Sequence, residues 1–185
     1  MPDYYEFEVS LLRITPRIWR RFLIRKTATF QDLHIAIQEA CGWWNSHLFA
    51  FRGVGHKGEE IAGIPDADPA EPGPDARKIK LAAFFEKADA DRCLYEYDFG
   101  DGWEHEVKLR KRLTLPESFK RRLQDGRRAF PPEDCGGVWG YERCVKILSG
   151  AAKGADEEAE ELKEWLCDWL PDVFDLATTK RSFDG

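Results

Sequence analysis

The sequence predicts an α+β protein in which helices cover a mixed sheet. Three observations predict this class: an alternating strand pattern opens the chain, a capped helix follows it, and a glycine-containing hairpin lies near its middle. The chain has 185 residues, of which 43% are hydrophobic and 13% aromatic. Because a chain of this length buries roughly 70% of its unfolded surface, we predict a single domain over residues 1–185.

The N-terminal part predicts a β-grasp-like half made of a hairpin, a helix and a strand. Apolar and polar residues alternate over 4–12, and a second strand pattern follows over 18–26. Thr29 is suited to capping the start of a helix, and Gly42 tolerates the left-handed backbone that ends one. A short apolar run over 47–52 predicts the next strand.

A second hairpin, in the middle of the chain, is predicted to extend this sheet. Its strands cover 93–99 and 103–113 and flank a glycine turn, and a short helix over 80–87 precedes them. Residues 53–77 contain four prolines among glycines, aspartates and alanines. Since proline neither donates a ladder hydrogen bond nor continues a helix, this segment predicts a mobile loop.

Two C-terminal helices are predicted to cover the sheet and complete an α/β roll. The first begins at about Tyr141. The second ends at Pro171 and carries an apolar stripe that includes Trp165 and Trp169. Because the spacing of this stripe matches one face of a helix, we expect both indoles to pack into the core.

The net charge of −6 is unevenly distributed. Ten acidic and four basic residues lie in 151–185, so the acidity belongs to the C-terminal part. Nine basic residues lie in 108–128, against Glu117 and Asp125. This basic segment has two interpretations: a nucleic-acid surface that attracts phosphates, or a solvated face that balances the acidic C-terminal helix. We favour the solvated face because no nucleic-acid motif accompanies the segment.

The cysteines and the N-terminus favour an intracellular protein. The five cysteines are scattered and form no C-x-x-C pair, which argues against a disulfide framework or a zinc ribbon. No stretch approaches the ~20 apolar residues of a membrane span, and the start lacks the basic and apolar regions of a signal peptide. We therefore expect a cytoplasmic location and no membrane contact.

Four sequence blocks together resemble the plasmid pRiA4b ORF-3-like family. The blocks are PRIWRR at 16–21 with TFQDLH at 29–34, GWWNSHLFAF at 42–51, YEYDFGDGWEHEV at 95–107 and PPEDCGGVWGYE at 131–142. The resemblance implies an α+β roll, a link to mobile elements and no established activity. Some members carry a name similar to that of a resolvase, but Ser10 lies within a strand among acidic residues, which argues against a serine recombinase. Where many members of the family have a further cysteine, this chain has Phe130, so the resemblance supports no thiolate metal site.

Two polar loops form the predicted binding surface: the turn within 98–105 and the proline-bounded loop 131–137. We expect the loops to meet and to bind a partner, which the sequence does not identify. The predicted binding residues are Asp98, Asp101, Trp103, His105, Glu133, Asp134 and Cys135. A structural interpretation stays open, in which the aspartates accept backbone N–H groups of the turn and the prolines and glycines stiffen the loop.

An enzyme is the alternative from another class. Donors that suit zinc are present in His47, His105, Asp98 and Cys135. Cys135 with His105 would also form a thiol nucleophile and its base, although two neighbouring carboxylates raise the pKa of such a thiol. We therefore predict a non-enzymatic binding or accessory protein with no metal and no cofactor.

Overall fold

A computed structural model describes residues 1–54, 58–65, 73–88, 90–151 and 157–184. This part of the chain contains seven strands and five helices. The strands are β1 (Asp3–Leu11), β2 (Trp19–Arg25), β3 (Phe49–Arg52), β4 (Glu60–Gly63), β5 (Arg92–Tyr97), β6 (Trp103–Thr114) and β7 (Arg121–Arg127). The helices are α1 (Phe30–Cys41), α2 (Leu81–Phe85), α3 (Gly137–Leu148), α4 (Glu157–Leu166) and α5 (Leu176–Phe183). None of these helices is long and apolar enough to cross a membrane.

The strands form one sheet in the order β4-β3-β5-β6-β1-β2-β7. The predicted α+β class is confirmed, but the sheet is antiparallel in every strand pair of the described residues rather than mixed. The β-grasp-like arrangement is not confirmed, because β5 and β6 separate β3 from the β1–β2 hairpin. The predicted hairpins β1–β2 and β5–β6 are both present.

Helix α1 begins and ends where the sequence predicts. The Thr29 hydroxyl accepts a hydrogen bond from the backbone N–H of Asp32 at 3.1 Å, and the Asp32 carboxylate accepts one from the backbone N–H of Thr29 at 2.7 Å. Gly42 closes the helix with φ 80°. The buried face of the helix carries Phe30, Leu33 and Ile37, which join the core. Reciprocal capping of this kind contributes about 1 kcal/mol, and burial of each large apolar side chain about 1.5–3 kcal/mol.

The inner face of the sheet is aromatic and apolar. Tyr5, Phe7, Val9 and Leu11 of β1 alternate into the core, as the period of the sequence predicts. Arg20 also lies on this side, buried, and donates hydrogen bonds to the carbonyl oxygens of Ala40 and Arg128. Its guanidinium lies 3.6 Å from the centroid of the Phe174 ring. The side chain of Arg20 is therefore part of the buried core.

The outer face, which we call the charged face, is a ladder of opposite charges. Glu8 lies opposite Arg21 on one side and Lys108 on the other. Its carboxylate is 2.5 Å from Arg17 and 3.7 Å from Arg21. Similar ion pairs join Arg52 to Glu96, Arg92 to Glu106 and Lys111 to Glu6.

The basic segment 108–128 was predicted to balance the acidic C-terminal helix, and its ion pairs test this prediction. Its ion pairs join Arg112 to Glu86, Arg121 to Glu39, Arg122 to Glu117 and Arg128 to Asp172, besides the pair with Glu6. Helix α4, by contrast, pairs Glu158 with Arg143 and Glu160 with Lys163. The acidic C-terminal part supplies Asp172 as the partner of Arg128, whereas the other ion pairs of the segment use acids from elsewhere in the chain. Within the described residues helix α4 forms none of these pairs, so a balance between this helix and the basic segment is not confirmed.

The predicted loop over 53–77 contains a strand. Residues 60–63 form β4, which pairs with β3 at the edge of the sheet. The prolines do not prevent this pairing, because Pro65 and the prolines after it follow the strand rather than interrupt it. Residues 55–57 and 66–72 lie outside the described residues, so the mobility of this segment stays a prediction.

The C-terminal part differs most from its prediction. Residues 121–127 form β7, which was not predicted, and α3 begins at Gly137 rather than near Tyr141. Helix α4 ends at Leu166, before Cys167 takes the left-handed conformation with φ 50°. Trp165 and Trp169 therefore do not share one helical stripe.

A final helix, α5, was also missed by the sequence analysis. Asp175 caps it by accepting a hydrogen bond from the backbone N–H of Thr178 at 3.0 Å. At its end Phe183 is fully buried, and its ring lies 5.4 Å from that of Phe22. A polar helix with one buried aromatic residue at its end shows no apolar periodicity, so the sequence pattern does not reveal this helix.

Candidate functional site

The two loops of the predicted binding surface meet. The backbone N–H of Gly136 donates a hydrogen bond to the Asp101 carboxylate at 3.1 Å. Gly137 has φ 66°, and a Cβ at this position would lie 2.5 Å from the carbonyl oxygen of Asp101. Only glycine allows this approach, so the sequence Gly136-Gly137 is explained by the contact between the loops.

A third segment, which follows α1, completes the surface. The indole N–H of Trp43 donates to the carbonyl oxygen of Pro131 at 2.8 Å, and the backbone N–H of Trp44 donates to the Glu133 carboxylate at 2.7 Å. We call this surface the junction. It comprises residues 43–47, 98–105 and 131–137.

Asp98 fixes the turn and also faces the centre of the junction. It has φ 54°, and its Oδ1 accepts hydrogen bonds from the backbone N–H groups of Gly100 at 3.0 Å and Asp101 at 3.3 Å. One oxygen of Asp98 therefore has the structural role that the sequence allowed, since it accepts backbone N–H groups of the turn. The other oxygen, Oδ2, lies 3.6 Å from Nε2 of His47.

His47, Asp98 and Asp134 form a compact cluster at the centre of the junction. Nε2 of His47 lies 2.8 Å from Oδ1 of Asp134, and one donor atom from each residue lies within 4.8 Å of the others. His47 and Asp98 are among the donors that the sequence analysis named. Asp134 takes the place of the other two, His105 and Cys135.

Trp103 and His105 belong to the core and not to the surface. Both side chains are buried. The His105 ring stacks on Phe130 with centroids 5.8 Å apart, and its Nδ1 lies 3.2 Å from the carbonyl oxygen of Tyr95. Burial lowers the pKa of His105 to about 4, so the imidazole is neutral near pH 7. Neither side chain is accessible to a partner in this conformation, which corrects their placement among the binding residues.

Cys135 is half-buried and faces inward. Its Sγ lies 4.0 Å from the carbonyl oxygen of Gly137, to which the thiol donates. A hydrogen bond with Cys144, together with burial and the nearby charge of Asp101, raises the pKa of this thiol. A thiol with a raised pKa is a poor nucleophile at neutral pH, so the geometry opposes the thiol-enzyme alternative.

Glu133 joins two segments of the junction through its carboxylate. It accepts hydrogen bonds from the Tyr97 hydroxyl and from the backbone N–H of Trp44. Burial and the hydrogen bond to Glu133 raise the pKa of Tyr97, so the phenol remains a proton donor. The same hydroxyl accepts a hydrogen bond from the backbone N–H of Ser46 at 2.9 Å.

The centre of the junction is acidic. Glu104 of the junction pairs with Arg13 at 3.5 Å, and Arg13 also donates a hydrogen bond to the carbonyl oxygen of Gly102. The four central carboxylates of the junction are Asp98, Asp101, Glu133 and Asp134. Within the described ranges, no lysine or arginine forms an ion pair with any of them, and only His47 lies within reach. This distinguishes the junction from the charged face, where neighbouring arginines and lysines neutralise the glutamates.

Three large aromatic side chains on and beside the junction are exposed to solvent. Trp44 is 84% exposed, Trp139 83% and Phe99 49%. Sequence analysis did not single them out, although a Trp-Trp pair after a helix-ending glycine and a tryptophan after a glycine-rich loop were visible signals. Tryptophan is enriched among the residues that supply the binding energy of protein interfaces, so Trp44 and Trp139 are candidate contact residues.

The fold and the junction together define an α+β protein with one antiparallel sheet and a polar surface where β5 turns into β6. The family model described as "Plasmid pRiA4b ORF-3-like protein" matches residues 3–178. The chain belongs to this family, and the resemblance found in the sequence is confirmed.

Two similar proteins illustrate what is known of the family. Uncharacterized protein y4hQ of Sinorhizobium fredii (strain NBRC 101917 / NGR234) is 35% identical over 147 residues, which cover 78% of this chain and 73% of that protein. The crystal structure of the protein of unknown function MM3350 from Methanosarcina mazei Go1 is 36% identical. It has a TM-score of 0.81 and covers 95% of this chain and 96% of its own. These names state no activity, so the comparisons establish family and fold.

Proposed function

We propose that this protein is a non-enzymatic binding protein that captures a partner protein through the junction. The observation that carries the proposal is the exposure of Trp44, Trp139 and Phe99 around a polar centre. Tryptophan in particular contributes far more than its share of the binding energy at protein interfaces, where it is anchored in a pocket of the partner. The expected partner therefore has an exposed apolar patch.

The contacts of the junction support a single recognition surface. The backbone of Trp44 is hydrogen-bonded to Glu133, and Phe99 directly follows Asp98 in the turn. Trp139 lies in the first turn of α3, two residues after the glycine that contacts Asp101. The three exposed aromatic residues thus lie in or next to the segments that carry the four carboxylates. Aromatic side chains supply much of the binding energy of an interface, and neighbouring polar groups orient the partner.

The alternatives have less support. His105 is buried away from solvent, and the thiol of Cys135 has a raised pKa, which opposes an enzyme built on them. For a nucleic-acid surface, five of the nine basic residues in 108–128 already form ion pairs with acids. The link to mobile elements stays a prediction from the family.

Site-specific photo-cross-linking tests the proposal. A photoreactive phenylalanine analogue replaces Trp44 or Trp139 in cells that contain the natural partner, and the captured protein is identified and purified. Its affinity for the unlabelled chain is then measured by calorimetry. We expect Trp44→Ala and Trp139→Ala to weaken binding at least about 30-fold, the effect of losing an interface anchor of about 2 kcal/mol. Neither change should alter the melting temperature, because both side chains are exposed.

The matched control is Trp165, an exposed tryptophan of α4 outside the junction. Trp165→Ala should leave the affinity unchanged, and a photoreactive group at this position should not capture the same protein. Equal capture from position 165, or equal loss of affinity in Trp165→Ala, would contradict a role for the junction.

A further inference from the structure

The central cluster of the junction offers a mixed set of metal-ligating atoms. Nε2 of His47 lies 2.8 Å from Oδ1 of Asp134 and 3.6 Å from Oδ2 of Asp98. The three ligands come from three separate segments: the connection between α1 and β3, the β5–β6 turn and the loop before α3. They converge only in the folded chain.

The surrounding contacts hold two of these ligands in place. Oδ1 of Asp98 is occupied by two backbone N–H groups of the turn, so Oδ2 is the oxygen directed at His47. The backbone N–H of His47 donates to the Tyr97 hydroxyl at 3.3 Å, and that hydroxyl in turn donates to Glu133. Outer contacts of this kind orient metal ligands in known sites.

The cluster has an excess of negative charge, which favours the binding of a cation. Asp98 and Asp134 have no lysine or arginine partner in the part of the chain that the structure describes, and Asp101 and Glu133 add two further negative charges nearby. A divalent ion would supply two positive charges and would use the imidazole of His47 as a ligand.

We propose that His47, Asp98 and Asp134 bind one divalent metal ion of the first transition row or zinc, and that Zn²⁺ binds more tightly than Mn²⁺. An imidazole with two carboxylates suits these ions, whereas Mg²⁺ and Ca²⁺ favour oxygen ligands alone. Ligands at about 2.0–2.2 Å from Zn²⁺ lie roughly 3.3 Å apart at tetrahedral angles. The separation of 3.6 Å between His47 and Asp98 is close to this value, and the ion would replace the 2.8 Å hydrogen bond between His47 and the exposed carboxylate of Asp134.

The ion deepens the proposed function because it would join the segments in which, or next to which, the exposed aromatic residues Trp44, Phe99 and Trp139 lie. Three protein ligands leave at least one coordination position open, and Asp134, which is 63% exposed, places it at the surface. The open position would accept water or a donor group of the partner. The test below needs no partner, so metal binding and partner capture can fail separately.

The experiment measures binding of Zn²⁺ by calorimetry and of Mn²⁺ by electron paramagnetic resonance, with chain that carries no affinity tag. We expect one site per chain for both ions. His47→Gln and Asp134→Asn should each weaken binding at least about 10-fold, the effect of losing a group that holds the metal. Asp134 is the safer test of the two for folding, because its side chain is largely exposed.

Two controls separate the site from other ligands on the chain. Asp168→Asn removes an exposed carboxylate of the C-terminal part and should leave both affinities unchanged. Cys167→Ser removes an exposed thiol that lies outside the junction and can bind Zn²⁺ nonspecifically, and it should retain the site. The proposal is overturned if neither ion binds saturably, if Asp134→Asn binds as the natural chain does, or if Zn²⁺ binding disappears in Cys167→Ser.

Discussion

The junction and the charged face are both rich in carboxylates, but they balance them in opposite ways. On the charged face, Glu8 lies between Arg17 and Arg21, and each neighbouring strand adds the opposite charge. In the junction, backbone N–H groups, a phenol and one imidazole contact Asp98, Glu133 and Asp134. The comparison teaches that a charged cluster already neutralised within the chain serves the fold, whereas one left negative is available to a ligand.

The largest expected effect concerns the contact that holds the junction together. Gly137→Ala should destabilise the protein by about 3 kcal/mol, because the left-handed backbone costs about 1–2 kcal/mol and the clash of the new Cβ adds to it. That Cβ would lie 2.5 Å from the carbonyl oxygen of Asp101. Chemical denaturation measures the free energy of unfolding.

Gly42→Ala is the matched control for this variant. Gly42 has φ 80° but no atom within 4 Å of the added Cβ, so only the backbone strain applies. Its expected cost is about 1 kcal/mol. Equal losses in the two variants would mean that the loop contact contributes nothing to stability.

A second prediction tests whether His105 belongs to the core or to the junction. The pKa of His105 in the folded protein is about 4, below the ordinary value of about 6.5 for an unfolded chain. The unfolded state therefore takes up a proton first as the pH falls. Stability should decrease between about pH 6.5 and 4, by about 2–3 kcal/mol for this group, and its contribution is complete above pH 6.5.

Unfolding titrations at pH 7.0 and 4.5 compare the natural chain with His105→Asn. Carboxylates also titrate near the lower pH, so the quantity of interest is the difference between the two proteins. The variant should lose less stability on acidification. His34, whose pKa burial also lowers to about 4, remains in both proteins and cancels. An identical pH dependence would show that the His105 ring is exposed to solvent.

The smallest expected effects on stability concern one carboxylate of the charged face, Glu8, and one of the junction, Asp134. Glu8→Gln should cost about 1–2 kcal/mol, because it leaves Arg17 and Arg21 close together without their shared counter-charge. Asp134→Asn, measured with a chelator present, should change stability by less than about 0.5 kcal/mol, since it relieves repulsion among acids. If both substitutions destabilise equally, the distinction between the two regions is wrong.

Sequence reasoning recovered the parts of the fold that local chemistry determines. The capping residues Thr29 and Asp32 determine where α1 begins, and the alternation of β1 determines which residues it buries. By contrast, β4 and β7 are edge strands stabilised by one neighbour, so their sequences show little alternation. The partner of β7 is β2, which lies far away in the chain, whereas β4 pairs with the preceding strand β3.

The candidate site was recovered in part for similar reasons. Glycines and prolines identified the two loops, and the loops do meet. The sequence could not predict which side chains of the loops face solvent, because this depends on the strand register. The register places Trp103 and His105 in the core. The partnership of Asp134 with His47 joins positions 87 residues apart, and no local pattern could reveal it.

The two edge strands of the sheet, β4 and β7, affect how readily copies of this protein aggregate. β4 is only four residues long, and the backbone N–H of Leu123 in β7 is occupied by the carboxylate of Asp184, just beyond α5. An edge strand with unpaired backbone groups can act as a template to which another chain adds a strand, which begins aggregation. Here the edge strand β4 is short, and the edge strand β7 is partly blocked by Asp184. Little unpaired backbone is therefore available at either edge, which disfavours fibre-like growth.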